Sequence, residues 1–97
     1  MIDLSGKAVM ITGASRGIGA AAARTFAEAR AQLALLARSG PELADLAGEI
    51  GPAAIAVPCN VARVTDVEAA VRACMQAFGR LDVLVNNAGV IQPIPGL

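Results

Sequence analysis

The chain has 97 residues, eight basic against eight acidic side chains, and 56% hydrophobic residues beside ten glycines. Zero net charge excludes the basic footprint that nucleic-acid binding requires, and no apolar run reaches the length of a membrane span. One domain, or part of one, is the most that this length allows.

Asp3 to Lys7 is a polar lead-in, and Ala8 to Thr12 reads as a buried strand. A glycine-rich turn follows, with glycines at 13, 17 and 19, and then a helix pattern from Ile18 to Ala29. Gln32 to Ala37 is a second apolar strand. Ser39-Gly40-Pro41-Glu42 has the form of a helix start: a Ser cap, Pro in the first turn, and Glu three residues after the cap. Leu43, Leu46, Ala47 and Ile50 form that helix's inner stripe, and Gly51-Pro52 ends it.

Ala53 to Pro58 is the third strand. Thr65-Asp66-Val67-Glu68 reads as a capping box opening a third helix, whose Val67, Ala70, Val71, Cys74 and Phe78 share one face. Gly79 closes it. Leu81 to Val85 is the fourth strand and runs into Asn86-Asn87-Ala88-Gly89; Ile91 to Leu97 reads as loop.

Strands alternating with helices imply an α/β fold with a parallel sheet and right-handed crossovers. The doubly wound, Rossmann-like form (β-α-β-α-β-α-β) has strand order 3-2-1-4, with its ligand crevice outside the carboxyl ends of the strands. The glycine turn, Arg38, Asn60 and Asn87 all fall at such ends. Crossover handedness places the first two helices on one sheet face and the third on the other. The fourth strand is left as an edge, so self-association is expected.

The turn is spaced G-x-x-x-G-x-G, and a glycine-rich passage from strand to helix offers backbone N–H groups and a positive dipole end to phosphate. The same glycines also serve a purely structural turn. No Gly-Lys-Ser/Thr follows, so this is not a P-loop. At the end of strand 2, an acid would select the ribose 2′-OH of NAD, and an arginine the 2′-phosphate of NADP. Here Arg38 occupies that place and Arg16 lies in the turn. Either one alone is equally a solvated surface charge, but as a pair they favour a phosphomonoester. The expected cofactor is NADP(H) rather than NAD(H).

Thr12-Gly13-Ala14-Ser15-Arg16-Gly17-Ile18-Gly19 together with Asn86-Asn87-Ala88-Gly89 resembles the classical short-chain dehydrogenase/reductase family over essentially the whole chain. The resemblance implies an NADP-preferring oxidoreductase acting on a carbonyl or alcohol substrate. It assigns the pyrophosphate and ribose to backbone around Gly13, Ser15, Gly17, Ile18 and Gly19, and the 2′-phosphate to Arg16, Arg38 and Ser39. Asn60 and Val61 match positions at the adenine edge. Asn87, Ala88 and Gly89 would line the cofactor ribose, and Asn86 would tie neighbouring strands; both asparagines also suit loop capping.

Two departures stand out. Ala29-Arg30-Ala31 replaces the glycine that family members place after the first helix, so a left-handed cap falls on Arg30. The family's catalytic Ser and Tyr-x-x-x-Lys, which lie beyond the Asn-Asn-Ala-Gly segment, have no counterpart here. The chain contains no His, Tyr or Trp, and Lys7 is its only lysine. It therefore reads as the N-terminal, dinucleotide-binding half of a reductase, without catalytic residues of its own. The alternative is a non-catalytic nucleotide-binding or interaction module.

No metal site is expected, and Cys59 and Cys74 are expected to be buried free thiols. The N-terminus lacks a signal-peptide layout, and the expected location is the cytoplasm.

Overall fold

The computed structural model describes residues 2–38 and 40–87. Four strands and three helices alternate: β1 (Ala8–Thr12), α1 (Gly17–Glu28), β2 (Gln32–Ala37), α2 (Gly40–Ile50), β3 (Ala54–Pro58), α3 (Val64–Phe78) and β4 (Val83–Val85). The strands are parallel in the order β3-β2-β1-β4, as the crossover rules require.

The period of two along each strand divides the core into two layers. Val9 and Ile11 of β1, with Leu33, Leu35 and Ala37 of β2, face α1 and α2 and meet Ala20, Ala23, Leu43 and Leu46. Ala8, Met10, Ala34 and Leu36 point the other way, onto Val67, Ala70 and Cys74 of α3. Because β1 and β2 are covered on both faces, they read as unbroken apolar runs, and their bounds match the sequence reading residue for residue.

Other bounds differ: α1 starts and ends one residue before the expected Ile18 and Ala29, and the starts of β3, β4 and α3 differ for local reasons. β3 starts at Ala54 because the Ala54 N–H is committed to the Gly51 carbonyl, 3.0 Å away, inside the turn that closes α2. β4 starts at Val83 rather than Leu81. Asp82 engages Ala8 through both its backbone N–H, donated to the Ala8 carbonyl at 2.9 Å, and its carboxylate, which accepts the Ala8 N–H at 2.9 Å. α3 starts at Val64, and its N-cap is Arg63, which makes no side-chain capping bond. The expected Thr65 capping box is not the start of this helix. The Asp66 carboxylate instead accepts the Asn60 N–H at 3.0 Å, so the acid in the first turn stitches the preceding loop to α3.

The helix ends follow backbone conformation. Gly79 is left-handed, with φ of 74°, and sends its N–H to the Met75 carbonyl at 2.8 Å. At the end of α1 the left-handed residue is Arg30, with φ of 71°. Ala31 N–H bonds the Phe26 carbonyl at 3.1 Å and Arg30 N–H bonds Ala27 at 3.0 Å. This is a Schellman closure built without glycine.

Candidate functional site

The carboxyl ends of all four strands lie along one rim of the sheet, joined by hydrogen bonds. After β1, Gly13 turns with φ of 61°, and the Ala14 N–H reaches across to the Leu36 carbonyl near the end of β2 at 3.0 Å. After β3, the Cys59 N–H bonds the Ala37 carbonyl at 2.9 Å, bringing the Asn60 loop beside Arg38. On the other side of β1, the buried Thr12 hydroxyl contacts Asn86 Oδ1 at 3.1 Å and accepts the Asn87 N–H at 2.8 Å. Asn86 thus ties β4 to β1, as the sequence resemblance implies.

The three glycines of the turn have different duties. Gly13 and Gly17 have positive φ, 61° and 62°, a conformation costly to any residue with a Cβ. Gly19 is buried in the first turn of α1, where space is the constraint. A Cβ there would fall on the Gly13 carbonyl and come within 2.8 Å of Asn87 Nδ2. Gly19 therefore lets α1 press onto the turn and onto the end of β4 at once.

The start of α1 is electropositive. Arg16 is its N-cap, in extended conformation, with no side-chain capping bond, and no acid lies in the first turn. The N-terminal N–H groups and dipole carry partial positive charge that Arg16, exposed beside them, reinforces. Ile18 is 78% exposed, an apolar side chain standing at the mouth of the turn. Ser15 is half-buried within the turn, and Arg38 is exposed just beyond β2.

Asn60 is partly committed elsewhere: its Oδ1 accepts the Ala62 N–H at 3.0 Å, the capping role open to any loop asparagine. Val61 packs its side chain against the α3 layer. Ser39, Ala88 and Gly89 lie outside the described residues. Gly13, Ser15, Arg16, Gly17, Ile18, Gly19, Arg38, Asn60, Val61 and Asn87 therefore share the rim. Thr12, which holds the rim together, was not singled out as a site residue in the sequence; the signal was a polar residue ending an otherwise apolar strand.

Cys59 and Cys74 are free and buried, and burial, followed by the nearby Asp66 and Asp82 carboxylates respectively, pushes both thiols up. They stay protonated and unreactive at neutral pH. No group of three or more potential metal ligands occurs among the described residues. No described helix is long and apolar enough to cross a membrane.

A family model described as short chain dehydrogenase matches residues 7–96. The chain belongs to the short-chain dehydrogenase family. Among curated relatives of this family, the oxidoreductase UcpA of Escherichia coli is 47% identical over 93 residues, covering 93% of this chain and 35% of that protein. The ketoacyl reductase HetN of Nostoc is 39% identical over 93 residues, covering 93% of this chain and 32% of that protein. Among solved short-chain dehydrogenase relatives, a 3-ketoacyl-(acyl-carrier-protein) reductase from Brucella melitensis, complexed with NADH, superposes with a TM-score of 0.83 at 40% identity. That match covers 84% of this chain and 34% of that one. A hydroxysteroid dehydrogenase from Escherichia coli gives 0.85 at 33% identity, covering 91% and 39%. The chain thus spans about a third of the length of these relatives.

Proposed function

We propose that the chain is the NADP(H)-binding, N-terminal half of a short-chain dehydrogenase/reductase that moves hydride between the nicotinamide and a carbonyl or alcohol substrate. The observation that carries the reading is the start of α1. Its positive N-terminus lacks a capping side chain or acid, is flanked by the Arg16 guanidinium, and sits on a glycine turn. Such a seat fits a diphosphate. Gly19, whose Cβ would fall on the Gly13 carbonyl, keeps α1 close against that turn.

Within this reading the bound nicotinamide supplies the hydride chemistry. The chain's own residues bind and orient. Backbone N–H groups from Gly13 to Gly19 neutralise the diphosphate. Arg16, Arg38 and Ser39 hold the 2′-phosphate, and Asn60 and Val61 border the adenine. Asn87, Ala88 and Gly89 line the ribose. Proton transfer to or from a substrate oxygen has no candidate among these residues, since the chain lacks Tyr and His and its single lysine precedes β1. The chain by itself is therefore a binding half, and it is proposed to act in the cytoplasm.

The test is a pair of titrations on the 97-residue chain. Arg38→Ala is expected to weaken NADPH binding by about 1.5–3 kcal/mol, the value of hydrogen bonds to a charged group, while NADH binding stays near wild type. Equal losses for both cofactors would refute the 2′-phosphate assignment. The same preparation, given NADPH and a panel of carbonyl compounds, is expected to show binding without oxidation. Turnover traceable to the purified chain would overturn the division between binding and catalysis.

A further inference from the structure

β4 carries Asn86 and Asn87 to the rim, yet it pairs with β1 at three positions only, from Val9↔Val83 to Ile11↔Val85. Three paired positions give the register of β4 little backbone support of its own. A slip of one residue would move it by about 3.3 Å and turn its side chains over. The tolerance at the rim is far smaller. At Gly19 even a hypothetical Cβ would meet Asn87 Nδ2 at 2.8 Å and the Gly13 carbonyl.

Side chains supply what the short ladder lacks. Thr12 holds the carboxyl end of β4 but does so by bonding the site residues themselves. At the opposite end, Asp82 and Ala8 close a reciprocal pair: backbone N–H to carbonyl at 2.9 Å, and Ala8 N–H to carboxylate at 2.9 Å. The carboxylate is itself fixed by the Arg80 guanidinium, whose Nε and one terminal nitrogen each lie 2.7 Å from a separate oxygen. That bidentate geometry restricts the Asp82 rotamer.

We propose that Asp82 is a positioning residue for the dinucleotide site: by locking the start of β4 onto Ala8, it sets where Asn87 meets Gly19. Asp82 touches no site residue, and its effect is delivered along three residues of strand. The proposal rests on the cofactor reading above for its consequence in binding, but its structural content is independent of that reading.

The experiment compares the wild-type chain with Asp82→Ala, Asp82→Asn and a core control, Leu46→Val, on α2. NADPH binding is measured per folded molecule, and the Asn87 side-chain and Gly19 backbone amides are followed by NMR. Asp82→Ala is expected to weaken NADPH binding about tenfold and to shift both amide signals. Asp82→Asn, which keeps an oxygen acceptor for the Ala8 N–H, is expected to recover most of both. Leu46→Val, which loosens the core away from β4, should move neither. If Asp82→Ala does not fold, Asp82→Glu carries the same expectation, because it keeps the charge and displaces the carboxylate by one methylene. Wild-type affinity and wild-type Asn87 signals in a folded Asp82→Ala or Asp82→Glu chain would overturn the proposal. A wild-type chain without affinity for NADPH would refute the cofactor reading instead, and the Asn87 and Gly19 signals would then decide the positioning role alone.

Discussion

Arg30 holds a conformation that its side chain disfavours. Its φ of 71° closes the Schellman turn after α1, and the cost of a left-handed L-residue is about 1–2 kcal/mol. Its neighbours leave no alternative: Ala31 must deliver its N–H to Phe26 and then enter β2 through Gln32, whose N–H bonds the Lys7 carbonyl at 2.9 Å. Arg30→Gly removes the steric cost but frees the unfolded chain, so the net gain is smaller than the full penalty. Urea denaturation is expected to show Arg30→Gly more stable by about 0.5–1 kcal/mol. Unchanged or lower stability would mean that the exposed Arg30 side chain makes compensating interactions. The strain itself was legible in the sequence, because a helix ending before a strand needs a left-handed residue and no glycine was available there.

At the scale of elements, β4 shows both how far the sequence could be read and where the reading ran out. β1 and β2 were readable to the residue because two covering layers make every position apolar. The periodicity of β4 is equally apolar, yet its first two expected residues are not strand, since Asp82 meets Ala8 with a side chain where a longer strand would use backbone. Thr12 is visible as the polar end of an apolar strand, but its role is not, for a related reason. Its partners lie 74 and 75 residues along the chain, beyond any local pattern. The same holds for Asp66, read as part of a capping box and found stitching Asn60 to α3. Polar side chains that bond across elements leave no periodic trace in the sequence.

The Asp82 clamp has a pH signature of definite sign. Hydrogen bonds from Arg80, then from the Ala8 N–H, hold the carboxyl at about 2, against an ordinary value of 3.8. The unfolded chain takes up its proton first as the pH falls. The clamp's contribution is therefore complete above 3.8 and is lost as the pH drops toward about 2. Other carboxyls, including Asp3 and Glu49, are also held low, so the informative quantity is a difference between two chains. The stability gap between wild type and Asp82→Asn is expected to be constant at neutral pH and to narrow through that acid window in urea titrations. A gap independent of pH would show that the charge of Asp82 contributes nothing.

For the whole molecule, the two faces and two edges of the sheet are unequally protected. Among the described residues, α1 and α2 share one face, α3 is the one helix on the other, and β1 is the only element whose backbone neighbours β4. On the α3 side, Ile55 and Val57 of β3 are only partly buried and Met75 of α3 is 45% exposed, while Val83 of β4, on the α1 and α2 side with its partner Val9, is 38% exposed. β3 carries some protection as an edge, because Pro58 ends it and lacks an N–H to offer. β4 is Val-Leu-Val, with no charge or proline within the strand. An apolar edge of this kind pairs readily with another strand, and a second copy of the chain presents the same strand. The 97-residue chain in solution is therefore expected to self-associate through β4, giving a concentration-dependent mass above the monomer in sedimentation. Val83→Lys places a charge on that edge and should shift the distribution toward monomer without loss of helix content. A wild-type chain that stays monomeric at every concentration and melts cooperatively would show that the edge is protected by other means. Association unaffected by Val83→Lys would move the contact to the α3 face, where Met75→Lys is the corresponding probe.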